Sequence, residues 1–96
     1  MSRFRLTPAA QRDLSEIWDF TESRWDASQV ESYLRDILNA IERAAADPDR
    51  GRPVDEIRQG YRRYATGGHL VFFVRRGDRI DVIRILHQRM DPSRHL

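Results

Sequence analysis

Cysteine and lysine are both missing from this 96-residue chain, and so is any long apolar run. Without cysteine there is no disulfide, no thiolate nucleophile and no zinc–thiolate centre, so packing alone must hold the fold. No stretch approaches the roughly 20 apolar residues that span a bilayer, and the opening MSRFRLTPAA lacks the apolar core of a secretory signal. A soluble cytoplasmic protein without membrane contact is therefore expected. Without lysine, every basic side chain is arginine. Selection for bidentate contacts to phosphate or carboxylate would produce such a set, and so would a base-composition bias in the coding DNA, so the placement of the arginines says more than their identity.

That placement is uneven. Residues 1–48 hold six arginines against nine acids, a net of −3, whereas 49–96 hold eleven against six, a net of +5. The length suits one domain, 1–96, with room for a single sheet and about two helices.

RFRLT near the start alternates Arg3 and Arg5 with Phe4 and Leu6, the period of a short half-buried strand. Thr7 and Pro8 then supply a helix cap and a pre-organised first turn. The stripe Ala10, Leu14, Ile17, Trp18, Thr21, Trp25 lies on one helical face and leaves Asp13, Glu16, Asp19 and Glu22 for the solvated side. Asp26 and Gln29 resemble a capping box that restarts the pattern as Val30, Leu34, Ile37, Leu38, Ile41, Ala45. So short a break predicts a helical hairpin. DPDRGRP, 47–53, is read as a loop, and strands follow at 61–65, 69–76 and 79–87, separated by the turns at TGG and Gly77-Asp78. The order is β-α-α-β-β-β. It describes an α+β fold with a helical hairpin packed on a small, largely antiparallel sheet.

Both faces of that sheet are apolar. Leu70, Phe72 and Val74 oppose Val71 and Phe73, while Ile83 and Ile85 oppose Ile80, Val82 and Leu86. One hairpin covers one face. The other requires the folded-back C-terminal tail, a second copy of the chain or a protein partner, because each large side chain left in water forgoes roughly 1.5–3 kcal/mol.

The chemical candidates are few. His69, His87 and His95 have no spacing suited to a metal, so no metal and no cofactor is expected. His87, at a strand end, suits either proton transfer or a structural hydrogen bond. Arg62, Arg63 and Arg84, with Arg58 and Arg89 nearby and Tyr61 and Tyr64 interleaved, form a candidate anion patch, although alternation sends Arg62 and Arg63 to opposite faces. No Ser-His-Asp order, Gly-rich phosphate loop or paired carboxylate at strand ends occurs, and no catalytic residue is assigned.

RLTPAAQRDLSEIWDFTESRW, GRPVDEIRQGYRRY, HLVFFV and VIRILHQRMDPSRHL, in that order, resemble the ParE toxins of bacterial type II toxin–antitoxin modules, within the RelE/ParE superfamily. The resemblance implies a non-catalytic toxin that poisons DNA gyrase by binding it, that meets DNA only indirectly through gyrase or the antitoxin, and that forms a hetero-oligomer with a neutralising ParD-like antitoxin. Two alternatives stay open: a RelE-like ribosome-dependent mRNA endonuclease, in which Arg62, Arg84 and His87 imitate part of the catalytic cluster, and a non-toxic repressor subunit. For the target, the expected contacts are Tyr61, Arg63, Arg84, His87, Arg89, Met90 and Arg94. For the antitoxin they are Trp18, Trp25, Tyr33, Ile37 and the sheet edge near Phe73. In RILHQRMDPSRHL, residues 84–87 complete the last strand and Asp91-Pro92 frees a polar docking tail. Cutting the chain after Gln88 is expected to abolish toxicity while sparing the fold.

Overall fold

The computed structural model describes residues 3–22 and 26–96; Trp25 and the side chains of Thr21 and Glu22 lie outside the described residues. The chain runs β1 (Phe4–Leu6), α1 (Pro8–Glu22), α2 (Ala27–Ala46), a 3-10 turn (Pro48–Arg50), β2 (Arg52–Pro53), β3 (Tyr61–Thr66), β4 (His69–Arg76), β5 (Arg79–His87) and a second 3-10 turn (Pro92–Arg94). The α+β class and the element order expected from periodicity are observed.

Both helix starts follow from their caps. Thr7 Oγ1 accepts from the Ala10 N–H at 3.1 Å, and an Asp26 carboxylate oxygen accepts from the Gln29 N–H at 2.9 Å. The Gln29 and Ser28 bonds hold the exposed Asp26 carboxyl below its usual range. Along α2 the buried set is Val30, Ile37, Ala40, Ile41, Ala44 and Ala45, one face of a 3.6-residue period.

The sheet is mixed, in the order β1-β5-β4-β3-β2. β1 runs parallel to β5, and every other pairing is antiparallel. The loop expected at 47–53 instead holds a 3-10 turn and a two-residue strand, in which Pro53 opposite Arg62 occupies the sheet edge, the position where a missing N–H costs no ladder bond.

Alternation along β5 breaks at one residue. Phe72 pairs with Arg84 and Phe73 with Val82, so Ile83 is bulged out of register. The bulge places Ile85 on the same face as Ile80 and Val82, where all three join Val71, Phe73 and the helices in the main core. It also turns Leu86 outward with Phe72 into a second cluster with Val54. Strict period-two reading had put Ile85 and Leu86 on the wrong sides.

The second cluster settles what covers the outer face. Val54, Ile57, Tyr61 and Leu70 pack there with Leu96 from the tail, so the chain itself closes over Phe72 and Leu86. The tail is therefore not a free polar end: its backbone is also held at His95, whose carbonyl accepts from Arg84 Nη1 at 3.0 Å. This corrects the expectation that truncation spares the fold. A chain ending at Gln88 should unfold at lower urea concentration, with a stability loss of about 2 kcal/mol from the uncovered Leu96 contact; an unchanged midpoint in a urea titration would overturn this.

Candidate functional site

The site begins with a problem at the sheet edge. β1 pairs with β5 only at Ile80, Asp81 and Val82, so the edge of β5 beyond Val82 has no strand partner. Thr7, which caps the first helix, and Asp13 within it supply the missing bonds. Thr7 N–H donates to the Val82 carbonyl at 3.1 Å, and Thr7 Oγ1 donates to the Ile83 carbonyl at 2.8 Å. Six residues further, Asp13 Oδ2 accepts from the Ile85 N–H at 2.9 Å.

Asp13 also takes Arg84. Nε donates to Oδ2 at 2.8 Å and Nη2 to Oδ1 at 2.9 Å, a bidentate pair 71 residues apart in sequence. Asp13 is only 6% exposed, which corrects the reading that placed it on the solvated side. The Asp13 hydrogen bonds raise the Arg84 guanidinium above its ordinary value against an opposing desolvation. A signal was present: Asp13 lies three residues after Ala10 and four before Ile17, inside the apolar spacing of α1. What it would meet was not readable from that spacing.

Beside this pair lies a cleft of about 280 Å³ between α1 and the ends of β4 and β5. Ile17, Ile85, Phe20 and Met90 form its apolar walls, and Asp13, Glu16, His69, His87 and Arg84 its polar groups. Phe20 is 62% exposed and Met90 37%. At the His69 end, the Tyr33 hydroxyl from α2 bonds to His69 Nδ1 and accepts from the Gly68 N–H at 3.3 Å. His69 and His87 meet edge to face with centroids 5.3 Å apart. Burial, then the neighbouring His87, pushes His69 below the usual histidine value near 6.5, and Asp13 opposes this. Burial raises the Tyr33 hydroxyl.

Of the expected target contacts, Arg84, His87 and Met90 come together in the cleft. Arg84 is consumed by Asp13 and His95, so it serves as a structural clasp, not as a free contact. His87 takes the structural bond foreseen for it, with Nδ1 accepting from the Arg89 N–H at 3.1 Å. Tyr61 and Arg63 lie on the opposite, outer face, in register with Val74 and Phe72. Arg89 is exposed, and Arg94 is exposed and paired with Asp91 at 3.8 Å.

The candidate anion patch does not assemble. Arg62 Nη1 donates to the Gly51 carbonyl at 2.7 Å and Nη2 lies 3.7 Å from Asp49, while Arg84 is neutralised.

Among the expected antitoxin contacts, Trp18 is 37% exposed and Tyr33 half-buried, whereas Ile37 and Phe73 are fully buried in the main core. Phe73 is not at a sheet edge, because β4 lies at the centre of the five strands. Tyr33 shows the same signal as Asp13, since its spacing from Val30 and Ile37 faces it inward. Among the described residues no group of three or more His, Asp or Glu is arranged to hold a metal ion, and no described helix is long and apolar enough to cross a membrane.

Two outcomes test the site. Asp13→Ala leaves Arg84 and the Ile85 N–H unpaired at a largely buried position and should destabilise the fold by about 3–5 kcal/mol, read from chemical unfolding. Because folding lowers the His69 pKa, the unfolded chain takes up its proton first on acidification. Stability should therefore be full above about pH 6.5 and fall below it, and His69→Gln should reduce that drop in unfolding midpoints taken at pH 7.5 and 5.5.

Residues 4–92 match the family described as "ParE toxin of type II toxin-antitoxin system, parDE". The chain is 54% identical over 96 residues to a Mycobacterium tuberculosis protein named Toxin ParE1, with 99% of this chain and 98% of that one covered. It is 43% identical over 96 residues to a Toxin ParE1 of Caulobacter vibrioides, covering 100% and 99%. Among solved structures, one titled "Chromosomal ParDE TA system from P. aeruginosa" is similar with a TM-score of 0.75, at 22% identity over 91% of this chain and 96% of that one. A conserved hypothetical protein from Helicobacter pylori is more distantly similar, with a TM-score of 0.52 at 15% identity over 91% of this chain and 94% of that one.

Proposed function

The chain belongs to the family of ParE toxins of type II toxin–antitoxin systems, and on that footing we propose that it inhibits DNA gyrase by binding and that a ParD-like antitoxin neutralises it. The observation carrying this reading is end-to-end similarity to two proteins named as ParE1 toxins, at 54% and 43% identity.

The site geometry supports a binding role in place of chemistry. An endonuclease of the RelE type needs free cationic groups beside a general acid or base to stabilise a phosphorane-like transition state. Here Arg84 is neutralised by Asp13, and the Nδ1 atoms of both His69 and His87 already hold hydrogen bonds.

The target-facing surface is assigned to the outer face and tail. Tyr61 and Arg63 on the outer face and the exposed Arg89 and Arg94 of the tail are the residues put forward for this contact, a set whose positive charge suits an enzyme that holds DNA. The antitoxin is assigned to the helical side around Trp18 and Tyr33 and to the cleft.

Purified protein added to gyrase and relaxed plasmid should inhibit supercoiling or trap cleaved DNA, and the ParD-like protein encoded beside it should reverse the effect. Ribosome-dependent mRNA cleavage with normal supercoiling would sink the proposal in favour of the nuclease; harmless overproduction without the antitoxin would favour the repressor subunit.

A further inference from the structure

The cleft carries an excess of negative charge on apolar walls. Asp13 and Glu16 together face a single guanidinium, and Arg84 commits Nε and Nη2 to Asp13 and Nη1 to the His95 carbonyl. Glu16 lies close enough to Arg84 to act on its charge, yet no ion pair is formed by Glu16 among the described residues. One negative charge is left over at the rim.

The space is about 280 Å³, at the lower end of the roughly 300–1,000 Å³ of pockets that take drug-sized molecules. It suits one long side chain. Its walls also suit a particular kind of side chain: Ile17 and Met90 would line an aliphatic stem, and Glu16 would meet a cation at the stem's end.

We propose that this cleft is the anchor site for an arginine or lysine side chain of the antitoxin, with the stem along Ile17 and Met90 and the cationic head on the Glu16 carboxylate. The inference rests on the toxin reading above. Charge assigns the occupant: the α1 wall of the cleft carries Asp13 and Glu16, and of these two carboxylates only Asp13 holds an arginine, whereas the arginines of the outer face and tail are the ones matched to a DNA-holding enzyme. An arginine gains more than a lysine here, because its planar fork can meet the carboxylate with two N–H groups.

The test has a small-probe arm and a partner arm. N-acetyl-L-arginine amide, titrated against methyl-labelled protein, should shift the Met90 methyl saturably; N-acetyl-L-norleucine amide should bind at least fivefold more weakly, and Glu16→Gln should remove that preference. In calorimetry with the ParD-like protein encoded beside the chain, Glu16→Arg should weaken binding tenfold or more. Glu56→Arg, an exposed acid outside the cleft, should change it by less than twofold. Equal binding of the two probes, equal losses at both glutamates, or undiminished antitoxin affinity in a Glu16→Arg protein whose unfolding midpoint matches the wild type would each overturn the proposal. Wild-type protein that leaves gyrase untouched but loses its antitoxin on Glu16→Arg would defeat the gyrase reading and uphold this one.

Discussion

One carboxylate joins the two layers of this protein. Asp13 accepts from Arg84 twice and from the Ile85 N–H once, and each bond does a different structural task. The Ile85 bond satisfies a sheet edge that β1 abandons after Leu6. The Arg84 bonds neutralise a carboxylate that packing would otherwise make costly to bury, and the remaining arm of the same guanidinium holds the tail at His95. First helix, last strand and C-terminal turn are thereby fixed relative to one another. The cleft exists between them because their spacing is set by this clasp.

The outer face illustrates how a chain with few residues to spare closes a two-faced sheet. Both sides of β4 and β5 are apolar, and only one is covered by helices. The segment carrying Val54 and Ile57 and the terminal Leu96 complete the other side. An excess of apolar sheet surface in sequence is thus not by itself a sign of a partner interface, since loops and termini too short to register as elements can supply the cover. What stays exposed is more informative: Phe20, Trp18, Leu38 and Met90 are the large apolar side chains left in solvent among the described residues. Phe20 and Met90 are the two that line the cleft.

Charge divides the molecule along the same line as structure. The helical half is acidic and the strand-rich half basic, so the two broad surfaces offer different partners different fields. Similarity at 22% identity speaks for the fold, and a fold of this kind hosts more than one activity. The activity must be argued from the site, where Arg84 is neutralised by Asp13 and the Nδ1 atoms of His69 and His87 already hold hydrogen bonds.

Much was legible from the sequence because it depends on neighbours a few residues apart. The Thr7 and Asp26 caps, the stripes of both helices, the three long strands and the glycine turns between them follow from backbone propensities and short-period burial. The inward spacing of Asp13 and Tyr33 was also written there, although not what each would meet. Tertiary structure decided the rest. The bulge at Ile83 reassigns Ile85 and Leu86 between faces, β2 forms only because β3 is there to pair with it, and Asp13 finds a partner 71 residues away. Those features arise from contacts between distant segments, whose geometry exists only once the sheet and helices are assembled. The sequence by itself determined the helices, the long strands and the charge of each half; only the folded molecule decided that Arg84 is a clasp, that the tail packs against the outer cluster, and that a cleft opens where the three meet.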